Sequence, residues 1–280
     1  MACNRGDGAH APSKYGRENL ARVMFNQQHS CNVATAEIGG RLLPLIERVQ
    51  AHRYSLWLDA VFGVFDTWPD IDAHEVVELS PLASGDHDFG LDEICAATIQ
   101  TFERSDRDLS VFSDHAIGCG IQVLVYPGFS DIAMSLYRRA DVLTAFGHLY
   151  SKCLEVRSPP VLGSLSEPVA PASTQLACAT YMIWDVASLN YWPDDYDHRS
   201  LAPVFLDMLE KVIMTNENPA CIESALHGIG HASSYRRSRG TVEFIDRRRE
   251  HMIDAFLATR SNLRPELLAY ARAARTGMIQ

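Results

Sequence analysis

The sequence predicts an all-α protein built from stacked antiparallel helix pairs, of the α-solenoid or α/α-superhelix type. Most of the chain places apolar residues at steps of three and four, which is the period of an amphipathic helix. Small residues recur where successive short helices would cross, as expected for helix pairs stacked on one another. Hydrophobic residues make up 47% of the chain and charged residues 21%, so there is enough apolar material for a substantial core.

The helical pattern begins after a polar stretch at residues 1–16, for which we expect a flexible lead. It then continues through residues 17–157, for example in YSLWLDAVFGVFDTW (54–68) and LDEICAATIQTFER (91–104). The segment IQVLVYP (121–127) also fits a strand, but it follows helical sequence without an intervening turn. We therefore favour a helix there.

Residues 158–173, SPPVLGSLSEPVAPAS, interrupt this pattern with four prolines and little periodicity. Proline lacks an amide donor and fixes φ, so this composition predicts a loop or linker. Helical sequence resumes at residue 174 and continues to residue 280. The predicted organisation is thus an N-terminal helical half, 17–157, and a C-terminal helical half, 174–280, joined by the proline-rich segment.

The two halves share short sequence motifs. A Trp-Pro-Asp sequence begins at Trp68 and again at Trp192, and a His-x-Ile-Gly sequence begins at His115 and again at His227. The distance between the two copies differs from one motif to the other. An internal duplication followed by an insertion or deletion, and chance similarity, therefore both remain open.

The segment ESALHGIGHASSY (223–235), followed by TVEFIDRRREHMIDAFL (241–257), contains an Ala-Leu-x-x-Ile-Gly pattern. It resembles the paired A and B helices of HEAT and armadillo-type helical-repeat proteins, most clearly over residues 219–257. The resemblance implies an α-solenoid-like fold and a binding role. It supplies no catalytic residue.

Composition limits the partners and the compartment. The formal net charge of −10 disfavours nucleic acid, whose binding requires a basic surface. Seven cysteines without a Cys-x-x-Cys pair are typical of free thiols in a reducing cytosol. The chain also lacks an apolar signal core and the run of about 20 apolar residues that spans a bilayer. We therefore expect an acidic cytoplasmic protein that binds neither nucleic acid nor membrane.

The strongest candidate for chemistry lies on one predicted helix, which begins at Asn218-Pro219 because Asn caps free amides and Pro suits the first turn. Four polar residues on it, Glu223, His227, His231 and Tyr235, are each four positions apart. Each such step advances only about 40° around a helix. The four side chains should therefore form one polar ridge, almost opposite the apolar face.

Two glycines, Gly228 and Gly230, fall on the flanks of this ridge. Glycine inside a helix costs roughly 0.5–1 kcal/mol relative to alanine. Their presence is explained if neighbouring backbones approach closely on both flanks. We therefore expect the ridge to face a groove or cavity.

Histidines four positions apart share a helix face, so His227 and His231 could bind one transition-metal ion. Glu223, one turn earlier, could supply a third ligand or act as a general base. The order differs from His-Glu-x-x-His, and both histidines could instead serve only as hydrogen-bonding groups, with Glu223 fixing a tautomer. A divalent metal ion is the one cofactor that this pattern suggests.

A second set of candidates surrounds YMIWDVASLNYWPDDYDHRS (181–200). Asp185 follows an aromatic residue within an apolar run, so we expect a partly buried carboxylate that requires a partner and could orient a catalytic group. The candidate ligand-binding residues are the aromatic and histidine side chains that could line a groove: Tyr181, Trp184, Trp192, Tyr235 and His115.

Two functions are consistent with these features. The first is a helical-repeat binding protein whose polar and aromatic-lined groove accepts a protein segment or a small ligand. The alternative is an all-α enzyme that uses His227, His231 and Glu223 as acid–base groups or metal ligands on a small-molecule substrate. The sequence motifs of phosphate-binding loops, dinucleotide sites and serine-hydrolase elbows are absent.

Overall fold

The computed structural model describes residues 49–67, 89–125, 136–187, 198–232 and 239–279. Within these ranges every regular element is a helix and there is no strand, which confirms the predicted all-α class. The predictions for the lead at residues 1–16, and for Trp192 and Tyr235, fall outside the described residues.

Ten helices follow one another along the described part of the chain. Residues 121–125 of the strand-like segment belong to a helix, as favoured from the sequence. The helices are α1 (Ala51–Leu58, continued by Asp59–Gly63 and Val64–Thr67), α2 (Leu91–Glu103), α3 (Ser105–Asp108), α4 (Asp114–Val125), α5 (Leu136–Leu149, continued by Tyr150–Leu154 and Glu155–Arg157), α6 (Thr174–Val186), α7 (His198–Thr215), α8 (Pro219–His231), α9 (Arg239–Thr259) and α10 (Pro265–Arg275).

One hydrophobic core contains residues of both predicted halves, among them Trp57, Phe146, Trp184 and Phe256, all fully buried. Helix α6 packs against α4 and α8, and α8 also packs against α7 and α10. Helix α6 of the C-terminal half thus packs directly on α4 of the N-terminal half. Across the described helices, none is both long enough and apolar enough to cross a bilayer.

A chain of buried hydrogen bonds connects α5, α6 and α8. The indole N–H of Trp184 donates to the Tyr150 hydroxyl at 3.0 Å, and that hydroxyl lies 2.7 Å from Ser224 Oγ. Ser224 in turn donates to the carbonyl of Thr180 at 2.5 Å. Tyr150 begins a π-helical stretch of α5, a local widening of the helix that changes where the following side chains point. These bonds fix α6 relative to α8, the two helices that carry the candidate site.

The proline-rich segment 158–173 packs against the helices. It contains two single 3₁₀ turns, Gly163–Leu165 and Pro171–Ser173, and Leu162 is fully buried. Asn218 connects it to α8. Its side-chain N–H donates to the carbonyl of Ser158 at 2.8 Å, while its oxygen caps α8 by accepting from the N–H of Ala220 at 3.0 Å. The predicted helix start at Asn218-Pro219 is confirmed.

Candidate functional site

Helix α8 is buried on all sides, because every residue from Ala220 to Gly230 is buried. The polar ridge predicted from the sequence therefore does not line an open groove along its length. Glu223 and His227 have no exposed surface, and the side chain of His231, at the end of α8, is 27% exposed. The physical reason is that α6, α10 and the proline-rich segment cover the polar face of α8, which lies opposite its apolar face.

The two glycines of α8 have the close neighbours expected on both flanks. A side-chain carbon at Gly228 would lie 2.7 Å from Cδ1 of Trp184, and one at Gly230 would overlap the side chain of Ile279. The neighbours at closest approach are side chains, whereas the sequence suggested backbones. Glycine at these positions thus allows α8 to be enclosed.

Three side chains of the types that can hold a metal ion converge where α6 meets the end of α8. Nε2 of His227 lies 2.9 Å from Oδ1 of Asp185, and Nε2 of His231 lies 3.5 Å from the same oxygen. One ligand atom from each residue falls within 4.8 Å of the other two. The four-residue step places both imidazoles on one face of α8, and the packing of α6 on α8 brings the carboxylate to them.

The second nitrogen of His227 is also engaged. Its Nδ1 lies 2.6 Å from the hydroxyl of Tyr270 on α10. The ring of Tyr181 meets His227 edge-on, with 5.1 Å between the ring centroids. Sequence reasoning missed Tyr270, because nothing in the helical pattern of the last helix relates residue 270 to residue 227.

Burial and neighbouring charges set the protonation of this group. Burial lowers the pKa of His231 below its ordinary value of 6.5, and proximity to His227 lowers it further, while Asp185 opposes the shift. Burial likewise raises the pKa of Tyr270, with Tyr181 and the carboxylates of Glu223 and Asp185 adding to the rise. At neutral pH His231 is therefore a neutral imidazole and Tyr270 an intact hydroxyl.

Glu223 is engaged by the proline-rich segment. Its carboxylate accepts from the N–H of Gly163 at 2.6 Å, from the hydroxyl of Ser164 at 2.5 Å and from the N–H of Ser164 at 3.4 Å. Burial raises its pKa, and these donors and the nearby His227 oppose the rise. The sequence suggested Glu223 as a third ligand beside the two histidines, but loop donors hold both of its oxygens, and the carboxylate that lies beside both histidines is that of Asp185.

The remaining predicted ligand-binding residues are separated by the fold. Trp184 has no exposed surface and packs against Phe146 and Phe205, so it belongs to the core and does not line a groove. His115 lies on α4, where its Nε2 is 3.6 Å from Sγ of Cys119, and it is not a member of the three-ligand group.

Two imidazoles and one carboxylate form a donor set suited to a divalent transition metal. Catalytic zinc sites commonly use three such protein ligands, and two histidines with one carboxylate also bind non-haem iron(II). The ring nitrogen of His227 that faces away from the cluster has a hydrogen-bonding partner in Tyr270, as is usual for metal-binding histidines. The residues present therefore fit a metal ion.

Comparison with known protein families, with curated proteins and with solved structures finds no match to this chain. The function of the chain is therefore inferred from the chemistry of Asp185, His227 and His231.

Proposed function

We propose that Asp185, His227 and His231 bind one divalent transition-metal ion, and that the protein is a metal-dependent enzyme acting on a small-molecule substrate. The observation that carries this proposal is the convergence of three ligand atoms within 4.8 Å from two different helices.

Exposure supports a catalytic site over a purely structural one. Structural zinc is usually enclosed by four protein ligands, whereas catalytic zinc keeps a position for water or substrate. Here the side chains of Asp185 and His231 are 31% and 27% exposed, while His227 is almost fully buried. Three ligands with an exposed side leave room for a substrate, and a bound metal ion would supply Lewis-acid chemistry there.

A helical-repeat binding protein remains the second candidate. Helices adjacent in sequence pack on one another, as α7 does on α8 and α9 on α10, which supports stacked helix pairs. Retention of a peptide or protein segment without turnover or metal would favour this function. The burial of Trp184 removes one of the aromatic residues expected to line its groove.

Metal binding by tag-free protein tests the leading proposal. After treatment with a chelator, the protein is titrated with Zn²⁺, Mn²⁺ or, without oxygen, Fe²⁺, and the stoichiometry is measured by calorimetry and elemental analysis. We expect one equivalent to bind. Removing an outer hydrogen bond of a metal ligand weakens metal binding about 10–100-fold. Asp185→Asn and His231→Ala change proposed ligands themselves, so each should weaken binding by more than that.

His251→Ala is the matched control, because His251 is an exposed histidine on α9 outside the three-ligand group. It should bind metal as tightly as the unmodified protein. The proposal is wrong if the unmodified protein binds no metal, or if His231→Ala binds metal as tightly as His251→Ala does.

A further inference from the structure

We infer that Tyr270 is a positioning residue that allows the ring proton of His227 to lie on either nitrogen. It does so because the hydrogen bond between the Tyr270 hydroxyl and Nδ1 of His227 can reverse its direction. In the metal-free protein the Tyr270 hydroxyl donates to Nδ1, and with a cation on Nε2 the same hydroxyl accepts from Nδ1–H. The second step rests on the proposed function, whereas the first concerns the metal-free protein alone.

The metal-free arrangement follows from the partners of His227. An ionised carboxylate can only accept hydrogen bonds, so the 2.9 Å contact with Asp185 requires the proton on Nε2. In a neutral imidazole the other nitrogen is then an acceptor. The hydroxyl of Tyr270, 2.6 Å from Nδ1, is the donor that satisfies it.

Metal binding inverts these requirements. A cation on Nε2 needs the lone pair there, so the ring proton must be on Nδ1, which becomes a donor. The proton released from Nε2 passes to solvent and Nδ1 takes one up from solvent, so the ring carries the same number of protons in both states. Tyr270 then accepts from Nδ1–H, and its own O–H turns away from the ring toward Tyr181, which lies close enough to raise the pKa of Tyr270.

A hydroxyl is the group that this exchange requires. It can both donate and accept, whereas the carboxylates and backbone carbonyls that commonly fix metal-binding histidines only accept. A carbonyl at this position would hold the proton on Nδ1 permanently and leave the contact with Asp185 without a proton. The tyrosine therefore suits a site whose histidine has two hydrogen-bonding states.

The helix of Tyr270 packs on α8 and α9, and its start is also tied to the proline-rich segment. Arg264, which precedes α10, makes a two-pronged ion pair with Glu167 of the proline-rich segment at 2.6 and 3.1 Å. Glu167 also accepts from the N–H of Leu162 at 2.7 Å, next to the residues that hold Glu223 of α8. One short segment thus holds both the helix of Tyr270 and the helix of His227.

Nitrogen NMR of histidine-labelled protein tests the inference, because the two ring tautomers give distinct long-range nitrogen–proton patterns. We expect His227 to carry its proton on Nε2 without metal and on Nδ1 with Zn²⁺. Tyr270→Phe should lower Zn²⁺ affinity about 10–100-fold, since Nδ1–H loses its acceptor. A proton on Nδ1 in both states, or unchanged affinity in Tyr270→Phe, would overturn the inference.

Tyr54→Phe is the matched control, because Tyr54 is another buried tyrosine whose hydroxyl bonds to Thr101 and Asp108. It should leave both the tautomers and the Zn²⁺ affinity unchanged, so it separates a general loss of stability from a loss of positioning. If the unmodified protein binds no Zn²⁺, the proposed function and the reversal both fail. The metal-free spectrum still tests the first step of the inference. A proton on Nε2 supports that step, and a proton on Nδ1 overturns it.

Discussion

Oδ1 of Asp185 lies 2.9 Å from Nε2 of His227, although the two residues belong to different helices and are separated by 42 positions in the chain. The same oxygen is 3.5 Å from Nε2 of His231. A carboxylate shared by two imidazoles, one almost fully buried and one partly exposed, is the feature on which the functional proposal depends.

Metal binding should stabilise the folded protein. A ligand that binds only the native state at 100 times its dissociation constant contributes about 2.7 kcal/mol. We therefore expect Zn²⁺ at that excess to raise the melting temperature by several degrees, and the rise to be lost in Asp185→Asn. An equal rise in both proteins would show that the ion binds elsewhere.

Removing the Tyr181 hydroxyl should weaken metal binding while leaving the metal-free protein nearly unchanged. In the proposed exchange, the O–H of Tyr270 needs Tyr181 as an acceptor only when Nδ1 carries the proton. Tyr181→Phe should therefore lower Zn²⁺ affinity and keep His227 in its metal-free tautomer, as measured by calorimetry and nitrogen NMR. Affinity equal to that of the unmodified protein would exclude this role.

Glu223→Ala should destabilise the fold by about 2–4 kcal/mol, because it leaves a cavity and removes the acceptor of two N–H groups and one hydroxyl. Urea denaturation measures the change in the free energy of unfolding. Glu103→Ala, at an exposed glutamate that ends α2, is the control and should change it by less than about 0.5 kcal/mol. Equal effects of the two substitutions would contradict the anchoring role.

Glu223 should also make stability depend on pH. Its pKa in the folded protein is raised above the ordinary value of 4.5 mainly by burial, so the folded state holds this proton more tightly than the unfolded state. The resulting stabilisation is fully present below pH 4.5 and is lost as the pH rises through the raised pKa. The unfolding free energy of the unmodified protein, relative to Glu223→Gln, should therefore fall as the pH rises above 4.5, and a rise would contradict it.

Adding a methyl group at three glycines of α8 and α9 should have graded effects. At Gly228 it would meet the rigid, buried ring of Trp184, so we expect Gly228→Ala to cost about 1–3 kcal/mol. At Gly230 it would meet the end of the Ile279 side chain, which can move, so the cost should be smaller. Gly240→Ala has open space around it and should be neutral or stabilising by up to about 1 kcal/mol. Thermal denaturation of the three variants gives the order.

The sequence was sufficient for the helices and for the pairing of the two histidines. The apolar period predicts the all-α class, and the four-residue step alone places His227 and His231 on one face of α8. The spacing of apolar residues cannot show what covers the polar face of a helix. Burial of Glu223 depends on donors from Gly163 and Ser164, about sixty positions earlier in the chain.

The placement of Asp185 and Tyr270 beside His227 depends on tertiary packing. Asp185 was predicted to be a partly buried carboxylate with a partner, but its partner follows only from how α6 meets α8. Tyr270 reaches His227 from a helix that begins 34 positions after α8 ends, counting from His231 to Pro265. The one local signal of this enclosure was the pair of glycines, Gly228 and Gly230, which predicted close neighbours without identifying them.

The proline-rich segment has a consequence for how this chain can vary. Because Gly163 and Ser164 hold α8 while Glu167 holds the start of α10, a few consecutive residues set the separation of two helices. A change in the length of this stretch would therefore disturb contacts with both helices, whereas a change in the length of a linker without contacts would not. An insertion between residues 164 and 167 would separate the contacts that hold α8 from the contact that holds the start of α10, the helix that brings Tyr270 to His227.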